Sequence, residues 1–350
     1  MSLTVLSVAY PFAPVGPAAV GGAEQVLAQL DAALVAAGHR SLVLACEGSA
    51  VRGRLVATPA PAGPITEAVR REAWARHGAE LRRLLDSSDV DVVHLHGVDF
   101  HEYLPSPGEV PLLVTLHLPP SWYPARVFRE HRPDMHLCCV SASQRRACPP
   151  GAPPIRVVDN GVPVGALASR VVKRGYALAL GRICPEKNLH AALDAGRLAG
   201  VPVLLGGQVY PYEAHLRYYR EQVLPRLDRQ RRLLGPLAFG RKRRLLAGAR
   251  CLLLPSLAPE TSSLVAMEAL ACGTPVVAYP SGALPDIVEH GVTGFLVHDE
   301  REMADAIAAC GGLDPEDCRA AARERFSLQR MVRRYFEHYE ALAGLRACAA

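Results

Sequence analysis

Short, uninterrupted apolar runs alternate with amphipathic stretches along most of this chain, and that alternation restricts the fold sharply. The runs are Leu3–Val8, Ser41–Ala45, Val90–Leu95, Leu112–Leu116, Met135–Val140, Ile155–Val158, Tyr176–Leu180, Val201–Leu205, Cys251–Leu254, Pro275–Ala278 and Gly294–Val297. They are rich in Val and Leu and do not alternate apolar with polar. Such runs predict strands buried on both faces, hence parallel sheets covered by helices. The segment Ala23–Ala37 carries Val26, Leu27, Leu30, Ala33, Leu34 and Ala37 at helical spacing, and Gly38 stops it. Glu67–Leu85 is a second helical pattern, and Ser327–Leu345 a third, with a stripe of Leu328, Met331, Val332, Tyr335, Phe336, Tyr339 and Leu342. Repeated β-α-β order predicts doubly wound α/β sheets.

At 350 residues two domains are expected. The loop Pro149–Pro154 and the turn Asn160-Gly161-Val162-Pro163 precede a loose stretch, so the linker is placed near 165–173. The expected division is 1–168, completed by the helix 327–345, and 169–326. Half the residues are hydrophobic and 21% are charged, which excludes global disorder. A net charge of +5 is too small for a nucleic-acid or membrane specialist. No run of about 18 apolar residues escapes charge or Pro/Gly interruption, so no membrane span is expected. The chain opens directly into a strand pattern with no signal-peptide pattern. Its ten cysteines include no Cys-x-x-Cys pair, and Cys46, Cys184, Cys251 and Cys272 fall in or beside apolar runs. Reduced thiols and a cytoplasmic location are expected.

Ligands of such sheets bind at the carboxyl ends of the strands. Gly21-Gly22-Ala23-Glu24 opens a helix after the first strand, where free N–H groups favour an anion or form a plain turn. It is not G-x-G-x-x-G, which disfavours a nicotinamide dinucleotide. Gly181-Arg182-Ile183-Cys184-Pro185-Glu186-Lys187-Asn188 places two cations on one loop. They either stay solvated or compensate charge on a departing pyrophosphate. After Cys251–Leu254 come Glu260, Thr261, Ser262, Ser263, Leu264 and Glu268, with Gly273 ending the helix before Pro275. Ser262 or Ser263 is expected to cap that helix. On a continuous helix Glu260 and Glu268 would stand about 12 Å apart. That is too far for a glycosidase acid/nucleophile pair, which sit roughly 5–10 Å apart. They can hold two ends of one long ligand, and Glu268, in an apolar helix, needs a partner such as a diol.

Together these motifs resemble the retaining glycosyltransferases of family 4, which have the two-Rossmann GT-B fold. The likeness rests on G-G-A-E, on G-R-x-x-x-E-K-N, and on the Glu-x7-Glu segment ending A-C-G-T-P-V-V-A. It also rests on Gly282-Ala283-Leu284-Pro285-Asp286-Ile287-Val288-Glu289-His290-Gly291-Val292-Thr293-Gly294-Phe295-Leu296-Val297, and on Val158-Asp159-Asn160-Gly161-Val162. The resemblance implies two domains facing across a cleft, with the last helix crossing back onto the first. It implies metal-independent transfer from a nucleotide sugar with retention, no cofactor and no enzyme nucleophile. By motif position Arg182 and Lys187 would grip the diphosphate, Glu268 the ribose hydroxyls and Glu260 the sugar. Gly21 and Gly22 would bring N–H groups to the phosphate or sugar, and His117 would line the reacting centre. Where the family carries Gly or Pro, Phe and Gly after the first Glu, this chain has Thr261-Ser262-Ser263, which leaves the donor sugar open. A UDP-hexose or UDP-N-acetylhexosamine is expected as donor. The acceptor is unread, although Trp122, Tyr123, Arg126 and Phe128 suggest a partly aromatic wall.

Other signals are kept in view. Asp89-Val90-Asp91 formally matches a metal-binding Asp-x-Asp, and His94, His96 and His101 either hold zinc, line the site or serve structure. No metal site is expected from them. Arg217, Arg220, Arg226, Arg229, Arg231, Arg232, Arg241, Lys242, Arg243, Arg244 and Arg250 form a basic region, read as a solvated face or as peripheral contact with an anionic membrane or other polyanion. Nucleic acid is disfavoured as a partner. The rival functions are a sugar-nucleotide epimerase, a sugar phosphorylase (no pyridoxal lysine motif is evident) and a non-enzymatic anion-binding module.

Overall fold

In the computed structural model the described residues are 2–17, 19, 21–60, 63–108, 110–129, 132–169 and 171–349, the last five by backbone only. The side chain of Leu345, at the end of the third helical pattern, lies outside them. The chain forms two units, Met1–Asp159 with Met331–Ala350, and Asn160–Arg330. The division falls earlier than the expected linker. Val162, Val164 and Leu167 are buried in the core of the second unit, so the residues after Asn160 belong there.

The first unit holds a seven-stranded parallel sheet ordered β3-β2-β1-β4-β5-β6-β7. Its strands are β1 Thr4–Val8, β2 Arg40–Cys46, β3 Arg54–Thr58, β4 Val92–Leu95, β5 Leu112–Leu116, β6 Met135–Cys139 and β7 Arg156–Val157. The second unit holds a six-stranded parallel sheet ordered β10-β9-β8-β11-β12-β13. These are β8 Ala177–Leu180, β9 Val203–Gly206, β10 Arg231–Gly235, β11 Cys251–Leu254, β12 Val276–Ala278 and β13 Gly294–Leu296. Both orders reverse direction beside their first strand, β1 or β8. In open α/β sheets ligands collect at the carboxyl ends beside such a reversal.

The helices used below are α1 Gly22–Ala36, α2 Glu67–Ser87, α3 Leu189–Leu198, α4 Glu213–Tyr218, α5 Phe239–Gly248, α6 Leu264–Ala271 and α7 Leu328–Ala349. None of the described helices is long and apolar enough to cross a membrane. The central strands β1, β4, β5, β8 and β11 are almost entirely buried, as continuous apolar runs require. Each fully buried Leu or Val contributes about 1.5–3 kcal/mol, so these strands set the core. Helix α7 docks on the first unit through its stripe. Met331, Tyr335, Tyr339 and Leu342 are buried, and Tyr335 and Tyr339 hydrogen-bond to Thr115 and His94. The nine cysteines whose side chains are described are free thiols.

The first unit carries several imidazoles that burial keeps neutral. Burial lowers the pKa of His77, His117 and His338 to about 4, and drives His94 and His96 well below the usual value. A histidine lowered in the folded chain contributes stability above about 6.5 and loses it as pH falls toward 4. Asp99, pushed up to about 6 by burial, and the raised Glu24 and Glu268 act in the opposite sense, but the histidines outnumber them. The unfolding free energy is therefore expected to fall by about a few kcal/mol from pH 6.5 to 4, read as a steady fall of the denaturant midpoint. A flat denaturation profile over that window contradicts this.

Candidate functional site

Two loops at the carboxyl ends of neighbouring strands build the site in the second unit. The first follows β8 and runs from Gly181 to Asn188, which adopts a left-handed backbone, φ 51°. The second follows β11 and runs from Pro255 to Ser263. They are stitched together by one carbonyl. The oxygen of Glu186 accepts the backbone N–H of Leu257 at 2.9 Å and the Ser256 hydroxyl at 3.4 Å. Across this seam the Lys187 ammonium pairs with the Glu260 carboxylate, and both side chains are largely buried. Arg182, on the same loop as Lys187, is exposed.

Glu260 is held from behind by the turn at Gly282. The N–H of Ala283 donates to the Glu260 carbonyl at 2.7 Å. Gly282 has φ +60°, and a Cβ there would lie 2.2 Å from that same carbonyl oxygen. Only glycine tolerates both the backbone angle and the approach. The Gly282 motif thus positions Glu260.

Helix α6 begins at Leu264, so Glu260 lies on the loop and only Glu268 lies on the helix. The two acids are therefore not one helical run, and the 12 Å helical separation does not apply. Ser263 occupies the N-cap position but makes no side-chain cap. The expected cap is absent, and the leading N–H groups of α6 are not satisfied by it. Ser262 Oγ is buried with no hydrogen-bond partner, while Thr261 and Leu264 are partly exposed beside it. A buried unsatisfied hydroxyl costs about 1–3 kcal/mol. A polar ligand at this loop would relieve that cost.

Glu268 is buried, and its carboxylate takes a 2.6 Å hydrogen bond from Lys242 on α5. Burial raises its pKa, and the Lys242 charge works against that rise. Lys242 was read only as part of the basic region. Its partnership with Glu268 shows that this run is not uniformly a solvated face. Arg226 bonds Asp194, Arg231 bonds Asp228, and Arg243 donates to the Ala166 carbonyl.

In the first unit Gly21 is the N-cap of α1 and Gly22 its first residue. The Glu24 carboxylate folds back so closely that a Cβ on Gly21 would meet it. The anion at this helix start is the chain's own. Burial raises the pKa of Glu24, and its own backbone N–H counters that rise.

His117 follows β5. Its Nε2 lies 3.0 Å from His96 Nδ1, and the two rings stack at 5.3 Å with 19° between planes. Burial keeps both neutral. One ring can therefore donate an N–H while the other accepts. His94 is a structural core residue, bonded to Tyr339 and Thr115 through its two nitrogens. Asp91 accepts the N–H of Thr4, so it serves the sheet. Among the described residues neither the Asp89/Asp91 pair nor His94, His96 and His101 form a three-ligand metal group. The expected aromatic wall is half corrected. Tyr123 and Phe128 are core residues, with the Tyr123 hydroxyl accepting from the N–H groups of His117 and Leu118, while Arg126 pairs with Glu102. Trp122 alone of the aromatics is exposed, at 52%.

Comparison with known proteins decides the family. Residues 20–165 match the model described as Glycosyltransferase Family 4, and residues 174–310 the model described as Glycosyl transferases group 1. This chain belongs to the family 4 glycosyltransferases. Glycogen synthase of Mycobacterium tuberculosis is 27% identical over 95% of the chain and 90% of that enzyme. D-inositol 3-phosphate glycosyltransferase of Saccharomonospora viridis is 42% identical, but over 26% of this chain and only 23% of that enzyme's length. Among solved structures, a glycosyltransferase involved in avilamycin A biosynthesis aligns over 98% of both chains with a TM-score of 0.72 and 25% identity. HepE of Anabaena, solved with UDP-glucose, aligns over 97% of this chain and all of that one, with a TM-score of 0.75 and 20% identity. The fold is accordingly GT-B. In this family 4 chain the Arg182–Lys187 and Glu260–Glu268 segments were legible from motif spacing. Lys242 was not, because it sits a strand and a helix away from the glutamate it serves.

Proposed function

We propose that this family 4 enzyme transfers a hexose or N-acetylhexosamine from a UDP-linked donor to an acceptor with retention and without a catalytic metal ion. The observation that carries the reading is the seam between the two loops, where Lys187 meets Glu260 beside an α6 start that lacks a side-chain cap. A largely buried ammonium beside a helix start without a side-chain cap suits a diphosphate. Glu268 gives a buried carboxylate for the two ribose hydroxyls, and Glu260 gives one for the sugar. The HepE structure with UDP-glucose supports a uridine donor as the starting assumption.

In the transfer step the bond from the anomeric carbon to the β-phosphate oxygen breaks, a bond to the acceptor oxygen forms, and the acceptor's hydroxyl proton passes to the departing diphosphate. Negative charge collects on the departing diphosphate. Lys187 and Arg182 stabilise that charge more than they stabilise the intact donor, and this difference accelerates the step. His117, neutral and bonded to His96, is assigned as a hydrogen-bonding group for the donor sugar. It is not a cation at pH 7. Ser262 is assigned to the sugar as well, since its hydroxyl is buried and unpartnered.

The test is a thermal-shift screen of UDP-, GDP-, ADP- and TDP-sugars, followed by product analysis of the hit with acceptor extracts. The reading expects stabilisation by UDP-sugars, and a glycosylated product whose anomeric configuration matches the donor. A donor converted to its epimer with no acceptor present would establish the epimerase instead. Inversion of the anomeric centre would remove the retaining assignment.

A further inference from the structure

The loop that carries Arg182 and Lys187 also carries two metal-ligand side chains that the transfer reaction leaves unused. Cys184, Glu186 and His215 bring a sulfur, a carboxylate oxygen and an imidazole nitrogen within 4.8 Å of one another. Cys184 is buried, His215 is partly exposed and Glu186 is exposed. The set therefore has a buried anchor and an open side. His215 Nδ1 is buried with no hydrogen-bond partner. Tyr212 packs edge-on against the His215 ring at 5.1 Å, which restricts its rotation. The thiol makes a long contact to the Arg182 carbonyl, at 3.6 Å, and a hydrogen bond with the Glu186 side chain.

We propose that Cys184, Glu186 and His215 form a zinc site that ties the phosphate-gripping loop to α4. The donor set fits the ion. Cysteine sulfur, imidazole nitrogen and one carboxylate are all zinc ligands, and three protein ligands leave a fourth position for water. Thiolate with imidazole selects zinc over magnesium or calcium, which take oxygen ligands. Tetrahedral zinc needs its ligands closer together than 4.8 Å, since each lies roughly 2.0–2.3 Å from the metal. The exposed Glu186 side chain supplies that small approach. One thiolate and one carboxylate balance the dication.

Binding replaces a proton. Cys–SH gives a zinc–thiolate bond and releases H⁺ to solvent, with no change of oxidation state. Burial, and then the hydrogen bond with Glu186, raise the thiol pKa. Zinc must displace that proton. The charged groups around the thiol are Arg182 and Glu186, which oppose each other. The consequence for the enzyme is positional. Glu186 and Lys187 are adjacent, and the Glu186 carbonyl already anchors the second loop. Zinc would therefore stiffen the segment that presents Lys187 without touching the donor.

The test uses the full chain, stripped with chelator, and cobalt(II) as the spectroscopic probe. The proposal expects one equivalent of cobalt to give tetrahedral ligand-field bands and a thiolate charge-transfer band, displaced by zinc. Cys184→Ser should abolish the charge-transfer band, and His215→Ala should weaken binding at least tenfold. Glu186→Gln, at an exposed position that leaves the fold intact, should weaken it by about tenfold. His298→Ala, in an exposed His–Glu pair elsewhere, should change nothing. Absence of the bands in the wild type, their persistence in Cys184→Ser, or equal affinity in Glu186→Gln would each overturn the site. This readout needs no donor and no acceptor, so it stands or falls apart from the transferase reading.

Discussion

Replacing Lys187 by alanine is expected to lower turnover by about 10²-fold, with a far smaller change in the donor KM. Removing one preorganised donor to a developing negative charge commonly costs that much, about 3 kcal/mol of transition-state stabilisation. Lys187 is suited to the role because its ammonium is largely buried and held by Glu260 across the seam. The diphosphate would share or replace Glu260 as its partner. Lys187→Arg keeps the charge but not the compact ammonium, and should recover part of the loss. The variant also leaves Glu260 unpaired in a largely buried place, so a lowered melting temperature should accompany it. A folding defect that inactivates part of the sample would also lower apparent turnover at unchanged KM, so the active fraction is titrated and turnover is compared well below the variant's melting temperature. Full transfer activity in Lys187→Ala would end the assignment.

Glu268→Gln is expected to weaken UDP binding by about 10- to 100-fold. A hydrogen bond to a charged group is worth roughly 1.5–3 kcal/mol, and tenfold in affinity is about 1.4 kcal/mol. The amide keeps the shape and one acceptor, but it cannot take two ribose hydroxyls as a carboxylate can. It also removes the counter-charge of Lys242, whose side chain is only 20% exposed. The discriminating arm is 2′-deoxy-UDP. The wild type should bind it more weakly than UDP, and Glu268→Gln should show little further loss. That non-additivity is the signature of a direct contact. Equal losses in both backgrounds would place Glu268 in structural support only.

How much of this could be read in the chain follows from burial. The interior strands are legible because both faces are covered and every residue can be apolar. The two strands that the apolar runs miss, Arg54–Thr58 and Arg231–Gly235, are outermost in their sheets. They are only partly buried and open on arginine, so no continuous apolar run marks them. Ile155–Val158 contracts to Arg156–Val157 at the opposite edge of the first sheet because only those two residues pair with β6, although Ile155 and Val158 are buried. The site divides along similar lines. Gly282 announces itself because the backbone there admits nothing else, and Lys187 and Glu260 lie in spaced motifs. Lys242 is hidden within a run of four basic residues, Arg241 to Arg244, that offers no period to single it out. Tyr123 and Phe128 misled because aromatic residues in a loop look the same in sequence whether they face solvent or core. The proposed metal group carries no sequence signal, because His215 is 31 residues from Cys184 and only the fold brings α4 to the loop.

Calorimetric titration of the wild type and of Glu268→Gln with UDP and UDP-glucose asks whether the second unit holds a nucleoside diphosphate sugar through Lys187, Glu260 and Glu268, as proposed. One nucleotide should bind per wild-type chain, and binding should be at least tenfold weaker in the variant. Equal binding by the two proteins, or no heat from any nucleoside diphosphate sugar, would contradict it.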